Sequence, residues 1–282
     1  MDELLQLWEI GPQAFGVGHS SAQSFLVLGG LSFARLIAFV QMAPFCGGAA
    51  VPSRVKVSLA AALGIVLYPS LVAELGPLGT SLPFGPVGFI ALLAKEVAVG
   101  FALGFAASLA FEAIHTAGRI IDMQRGATMG ELYAPQINSQ VSELGQFKLQ
   151  VSLVIFLTIG AHHAFLKALL QSFRLIPIFD FPHIAGGWSP LAEFFAQASA
   201  QTVVISVQLA APAVIALLLT DVFFGVINRV APQINVFFLS MPFKMLIGVL
   251  VVALALFVFK ERSINFFTQS LNSFEALLRL AG

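Results

Sequence analysis

Long apolar runs with few charges dominate this chain of 282 residues. A helix needs about 20 mostly apolar residues to cross the hydrocarbon core of a bilayer. Six segments meet or nearly meet that length, so the pattern predicts a membrane protein rather than a water-soluble one. The segments cover approximately residues 25–45, 55–73, 87–114, 147–170, 194–220 and 234–259.

Prolines and closely spaced glycines modify these segments. Four prolines lie within them or at their ends: Pro44, Pro69, Pro212 and Pro242. Each proline removes a backbone donor and bends or breaks a helix, whereas Gly100 and Gly104 form a GxxxG motif that allows two helices to approach closely. We therefore predict an all-α, polytopic membrane protein with about six apolar, kinked helical segments arranged as hairpins.

The two ends of the chain differ from the apolar segments. Residues 1–24 place Leu4, Leu5 and Trp8 among acidic residues, which favours a short segment lying at the membrane interface. Residues 261–282 contain Phe266, Phe267, Phe274, Leu277 and Leu278 among polar residues, which predicts an amphipathic tail. No long polar linker divides the chain, so we expect residues 1–282 to form a single membrane domain.

Composition narrows the possible functions. Hydrophobic residues make up 58% of the chain and charged residues 10%, against about 25% charged in soluble domains. The 14 basic and 14 acidic residues cancel, so no basic excess points to nucleic acid.

The single cysteine, Cys46, is expected to pack as a small apolar residue. HExxH, GxSxG and Walker A motifs are absent from the sequence, so we predict neither an enzyme nor a cofactor.

Charges inside the apolar segments are the main functional clue, because burying one in a membrane helix costs about 2.5–3.5 kcal/mol. They are Arg35, Lys95, Glu96, Glu112, Asp221 and Lys244. Two alternatives remain open. The charges line an ion or solute path, as in a secondary transporter, or they pair with each other or with a partner subunit. The position of Lys95 and Glu96 near one end of their segment favours pairing.

Residues 118–127 form the densest polar stretch in the chain. Asp122 and Arg125 are three residues apart, so they share one helix face and can form an ion pair, and Arg119 lies on that face too. This stretch is either a solvated loop helix or, because Ile120 and Ile121 give it an apolar side, a partly buried one.

The same stretch resembles a known family. Gly118, Asp122, Gln124, Arg125 and Gly126 stand where the SctT/FliR family of type III protein export has its GxxxDxQRGA stretch.

A second block also resembles that family, and it is the more specific one. Residues 229–237 are similar to its R-x-x-P-Q-x-N-V-F signature, in a run that includes Arg229, Pro232, Gln233 and Asn235, and Lys244 follows in the P-x-K part. Further sequence similarity to the family at residues 35–54 and 172–177 extends the resemblance over nearly the whole chain.

The resemblance implies a non-enzymatic structural subunit of a type III export gate in the bacterial inner membrane. Family members assemble with SctR/FliP-like and SctS/FliQ-like subunits, an SctU/FlhB-like switch protein wraps the gate, and unfolded proteins pass through it. The residues Gln124 to Ala127 favour the injectisome subunit SctT. Flagellar FliR remains the alternative, and Pro135-Gln136 departs from both branches.

Residues 229–244 are expected to form a re-entrant or bent turn stabilised by polar side chains. Pro232 favours an extended residue before it, and Gln233 and Asn235 can bond backbone groups that the break leaves free. Lys244 requires an acid or several backbone carbonyls nearby, which Asp221 or a partner subunit would supply.

Overall fold

The computed structural model describes residues 22–48, 51–75, 86–127, 142–181 and 189–281. Every regular element in these ranges is helical, as the sequence predicted. A 3-10 helix, Pro44–Cys46, follows the first α-helix. The seven α-helices are α1 (Ala22–Met42), α2 (Ser53–Leu75), α3 (Pro86–Arg125), α4 (Glu143–Thr158), α5 (Ala161–Leu175), α6 (Ser189–Val230) and α7 (Val236–Ala281).

Each of the six predicted segments corresponds to helix, but the fourth is broken. Helices α4 and α5 meet at an angle of 76°. Gly160 lies at this bend with φ of +73°, a left-handed conformation that glycine adopts without the steric cost of a side chain. The two residues Ile159 and Gly160 therefore separate α4 from α5.

Three helices in the described ranges are long and apolar enough to cross a membrane, namely α3, α6 and α7, and the broken pair α4–α5 makes a fourth if it counts as one span. The three contain 40, 42 and 46 residues. At 1.5 Å per residue each is about 60–70 Å long, roughly twice the thickness of the hydrocarbon core. Helix α1 contributes a shorter apolar helix over Val27–Met42.

Three of the four prolines do not break a helix, although each was expected to bend or break one. Pro69, Pro212 and Pro242 lie inside α2, α6 and α7, which all continue past them. Only Pro44 coincides with a helix end, since α1 stops at Met42. Missing backbone bonds at single residues are evidently outweighed by the remaining hydrogen bonds of helices this long.

The C-terminal residues 261–281 are continuous with the last apolar segment, because α7 runs unbroken from Val236 to Ala281. Phe267, Phe274 and Leu277 bury their side chains on one side of this part of the helix. The predicted interfacial segment at residues 1–24 lies almost entirely outside the described residues.

The chain divides into two compact units. One contains the described residues between 22 and 108, between 163 and 192 and between 271 and 281, and the other contains the described residues between 109 and 162 and between 193 and 270.

In the first unit, the GxxxG motif lies where α3 meets α1. A Cβ atom on Gly100 would overlap the Arg35 carbonyl oxygen, and one on Gly104 would overlap Met42. The predicted close approach of two helices at this motif is therefore confirmed.

In the second unit, Gly118 of α3 meets Gly145 of α4 at the same kind of close approach. A Cβ atom on Gly118 would overlap the Gly145 backbone. The core beside this contact consists of small and branched residues: Ala117, Ile121, Leu144, Ala210, Ala213, Leu217 and Val252. Phe111, Phe156 and Phe267 form an aromatic cluster with ring centroids 5.0–5.1 Å apart.

The glycine contact generates a prediction about stability. Gly118→Ala should destabilise the second unit by about 1–3 kcal/mol, because the added methyl group meets backbone that must move. Gly225→Ala is the matched control, since a Cβ atom there has no neighbour within 4 Å and alanine favours helix. Thermal unfolding of the two variants in one detergent measures the difference, and equal melting temperatures would contradict the packing argument.

Candidate functional site

Arg35 and Glu96 form a buried, bidentate ion pair in the first unit. Arg35 is on α1 and Glu96 is on α3, and neither side chain is exposed. Nε of Arg35 donates to Oε2 of Glu96 at 2.6 Å, and Nη2 donates to Oε1 at 2.9 Å. Two parallel bonds of this kind fix the direction of both side chains as well as their distance.

Lys95 adds a second cation to this pair, with Nζ 2.7 Å from Oε1 of Glu96. One carboxylate thus faces two cations, and backbone carbonyls supply the remaining negative partial charge. Nζ of Lys95 donates to the carbonyl oxygens of Pro177, Ile178 and Asp180 at 2.7–3.0 Å. Its ammonium group therefore holds the segment that follows α5.

Arg35 caps the C-terminal end of α5 from another helix. Nη1 donates to the carbonyl oxygen of Ser172 at 2.9 Å, and Nη2 donates to that of Ile176 at 2.8 Å. Its guanidinium carbon also lies 4.3 Å from the centroid of the Phe173 ring. Carbonyl groups at a helix C-terminus carry partial negative charge and favour a nearby cation. The Arg35–Glu96–Lys95 cluster is thus fully bonded, and it joins α1, α3 and α5.

Asp122 is the centre of a second cluster, in the second unit. Its Oδ1 accepts a bond from Nε of Arg125 at 2.7 Å, so the ion pair predicted from their spacing is present. Its Oδ2 accepts bonds from Oγ of Ser142 at 2.5 Å and from the backbone N–H of Leu144 at 2.9 Å. Arg125 also donates to Glu143 at 3.1 Å. One carboxylate therefore joins the last turn of α3 to the first turn of α4.

The backbone conformation of Gly126 explains why the QRGA stretch contains a glycine. Its φ is +80°, and the N–H groups of Gly126 and Ala127 donate to the carbonyls of Met123 and Asp122 at 3.2 and 3.1 Å. This pattern is a Schellman motif, in which a left-handed glycine ends a helix. Gln124 of the same stretch is half-buried. The stretch is therefore the partly buried end of α3 and not a solvated loop helix.

Asp221 of α6 and Lys244 of α7 form a further ion pair, in agreement with one of the two partners predicted for Lys244. Their side chains are 39% and 18% exposed, so this pair is less shielded than the Arg35–Glu96 and Asp122–Arg125 pairs. Phe224 and Phe243 pack beside it with ring centroids 5.5 Å apart.

The turn before Lys244 differs from the prediction. Backbone groups close it, with the N–H of Ala231 bonded to Ile227 and that of Ile234 bonded to Ala231 at 2.8 and 3.1 Å. The side chains of Gln233 and Asn235 are exposed and are not what stabilises the turn. A simple β-turn with proline at its second position satisfies the backbone without them. Arg229 and Pro232 are exposed as well.

Cys46 lies in the 3-10 helix after α1 and is half-buried. Burial raises the pKa of its thiol to about 11, although the positive charge of Lys56 acts in the opposite direction. The thiol is therefore protonated at neutral pH and is a poor nucleophile.

Sequence reasoning missed Ser142, Glu143, Lys148 and Ser172. Ser142 carried a recognisable signal, since it is an N-cap serine whose Oγ accepts a bond from the Gly145 N–H at 3.0 Å. Lys148 is buried and lies 5.9 Å from the Phe259 ring centroid. Ser172 is buried beside Arg35; the family resemblance included residues 172–177 but gave Ser172 no role, and no sequence pattern marks Lys148.

The sequence model of the family described as "Bacterial export proteins, family 1" matches residues 26–270, which is most of the chain. This chain belongs to the FliR/SctT family of type III export proteins.

Several curated members of the FliR/SctT family are similar to this chain. "Flagellar biosynthetic protein FliR" of Bacillus subtilis is 29% identical over 253 residues, 89% of this chain and 95% of that protein. "Yop proteins translocation protein T" of Yersinia pestis is 37% identical over 164 residues, 58% of this chain and 62% of that protein. "Surface presentation of antigens protein SpaR" of Shigella flexneri is 32% identical over 232 residues, 82% of this chain and 86% of that protein.

As a member of the FliR/SctT family with several apolar helices long enough to span a bilayer, the protein is located in the bacterial inner membrane. Five of its six intramembrane charges join helices to one another or to the segment after α5: Arg35, Lys95, Glu96, Asp221 and Lys244. The charged groups of Arg35, Lys95 and Glu96 bond to one another and to backbone carbonyls. None of these three groups is therefore left to bind a solute.

The first cluster predicts a strong effect of Glu96→Gln in this FliR/SctT-family protein. Removing one partner of a buried ion pair costs about 3–5 kcal/mol, and here it leaves two buried cations facing each other. Thermal unfolding in detergent should show a large loss of stability. Glu261→Gln, at an exposed position on α7, is the control and should melt like the wild type. A Glu96→Gln variant that also melts like the wild type would refute the role of the pair.

The second cluster predicts a graded pair of variants. Ser142→Ala removes one cap and should cost about 0.5–2 kcal/mol. Asp122→Asn should cost more, because it takes the charge away from Arg125 while two further donors still point at the same side chain. Limited proteolysis between α3 and α4 measures both variants. Faster cleavage of Ser142→Ala than of Asp122→Asn would contradict the central position of the carboxylate.

Proposed function

We propose that this chain is a structural subunit of the type III protein export gate and helps to form the channel that passes unfolded proteins across the inner membrane. The observation that carries the proposal is the family match over residues 26–270. The arrangement of the charges supports it, because ion pairs within the chain serve packing rather than solute binding. A non-enzymatic role agrees with this arrangement.

The partners we propose are SctR/FliP-like and SctS/FliQ-like gate subunits, with an SctU/FlhB-like switch protein around them. Helices α6 and α7 support an assembly role. In the most apolar 18-residue stretch of each helix, only 22% of α6 and 17% of α7 is buried within the chain, against 56% of α3. The exposed large apolar side chains of α6 extend from Val203 to Val230, about 40 Å along the helix axis. Because this is more than the thickness of the hydrocarbon core, lipid alone cannot cover all of them.

We place the protein in the injectisome branch. The QRGA wording at residues 124–127 supports this choice, as do the 37% and 32% identities to the Yop translocation and SpaR proteins. The flagellar branch is the second candidate, because Bacillus subtilis FliR is similar over 89% of the chain.

A deletion in the native host tests the function and the branch together. We expect loss of injectisome protein export with swimming motility retained, and a plasmid copy of the gene should restore export. Loss of motility alone would assign the chain to the flagellum. Retention of both activities would contradict the export function itself. Affinity purification in mild detergent, followed by identification of the recovered subunits, tests the partners.

Residues 229–244 provide a prediction about assembly. Lys244→Leu should reduce gate assembly or export while membrane insertion stays intact, because it leaves Asp221 without its cation. Asn235→Leu should have a similar effect if this exposed turn meets a partner subunit. Native gels of the gate and a secretion assay measure both variants.

The double variant Asp221→Asn/Lys244→Leu separates the two roles of Lys244. It removes both charges, so recovery of assembly would assign the pair to packing within the chain. Persistent impairment would assign Lys244 to a partner contact. Wild-type secretion and complex levels in both single variants would show that these polar groups are incidental.

A further inference from the structure

Glu112 and Arg119 differ from the other charges of α3. Lys95, Glu96, Asp122 and Arg125 all form ion pairs, whereas Glu112 and Arg119 have neither an ion pair nor a side-chain hydrogen bond within the part of the chain that the structure describes. Both side chains are exposed. Two opposite charges are thus left unmatched on a helix that is apolar enough to cross a membrane.

These two charges occupy one stripe of the helix. Seven residues correspond to almost two full turns, so Glu112 and Arg119 project from nearly the same side, about 10 Å apart along the axis. Thr116, which lies between them, is half-buried, and Met123, which follows one turn later, is 68% exposed. The stripe therefore presents an acid, a small polar residue, a base and an apolar residue in that order.

We propose that this stripe, defined by Glu112, Thr116, Arg119 and Met123, is the docking surface for a helix of a neighbouring gate subunit. That helix carries a lysine or arginine opposite Glu112 and an aspartate or glutamate opposite Arg119. The inference rests on the proposed export-gate function. Charges a heptad apart select partner and orientation between packed helices, and complementary charges across an interface do the same for specificity.

Charge complementarity also decides against a second copy of this chain as the occupant. Copies inserted in the membrane in the same orientation would bring their α3 helices together at equal depth. In a two-fold interface of that kind, Glu112 would face Glu112 and Arg119 would face Arg119. Juxtaposed like charges are unfavourable, so the stripe does not pair with itself across a two-fold axis, and we assign the complementary helix to a different gate subunit.

The test uses the full chain co-expressed with its SctR- and SctS-like subunits and purified through a tag on this chain. Glu112→Lys and Arg119→Glu should each lower the recovered partner about tenfold or more, because each puts like charges together. The swap Glu112→Lys/Arg119→Glu keeps the net charge but reverses the order of signs, so it should remain impaired. Glu261→Lys, at an exposed position on α7, is the control and should recover partners normally.

Expression of each variant without partners controls for folding. Neither Glu112 nor Arg119 bonds to another described side chain, so these variants should elute in detergent like the wild-type chain. Normal partner recovery by either single variant, or by the swap, would overturn the inference. Failure of the wild-type chain to recover any gate subunit would instead overturn the proposed function, which keeps the two outcomes distinguishable.

A photo-crosslinking residue at Thr116 identifies the occupant directly. An adduct with a gate subunit at this position supports the inference. An adduct with an exported protein would overturn it in favour of a channel-lining stripe. So would rapid labelling of Glu112→Cys in a Cys46→Ala background by a membrane-impermeant maleimide in the assembled gate.

Discussion

The bidentate pair of Arg35 and Glu96 is the interaction on which the first unit depends, because an unneutralised charge cannot remain at a site with no solvent exposure. Gly100, one turn after Glu96 on α3, makes the pair possible. A Cβ atom there would overlap the Arg35 carbonyl oxygen. The absent side chain lets the two helices come close enough for the charges to bond, and the remaining donors then collect the carbonyls that end α5.

The second unit uses the same construction with different residues. Asp122 of α3 has Gly118 one turn before it, and the backbone of Gly145 occupies the space that a Gly118 side chain would fill. The approach brings the N–H of Leu144 and the hydroxyl of Ser142 to the carboxylate. In both units an acid on α3 lies one turn from a glycine, so close backbone packing and charge neutralisation support each other.

The pairing of buried charges between helices has a functional consequence. Within the described residues the three most deeply buried charged side chains, Arg35, Glu96 and Asp122, join helices, and the surfaces left exposed on α6 and α7 are mainly apolar. A solute transporter needs polar groups held ready for its substrate near the middle of the membrane. A gate subunit needs rigid junctions inside and broad surfaces outside, and the FliR/SctT family assignment agrees with that arrangement.

Local patterns determined a large part of this structure from the sequence alone. Apolar run length identified the helical segments, the spacing of Asp122 and Arg125 predicted their ion pair, and the GxxxG motif predicted a close helix contact. These inferences hold because they depend on residues within a few turns of one another. The sequence also supplied Asp221 as a partner for Lys244, since both charges border the same turn.

Tertiary structure decided what long-range packing controls. Arg35 meets Glu96 across 61 residues and Ser172 across 137, and no periodicity predicts which backbone carbonyls will surround a cation. The prolines of α2, α6 and α7 do not break their helices, which continue past them, whereas the break in the fourth segment lies at Gly160. A local propensity states the cost of a conformation, but the contacts made by the folded chain determine whether that cost is offset.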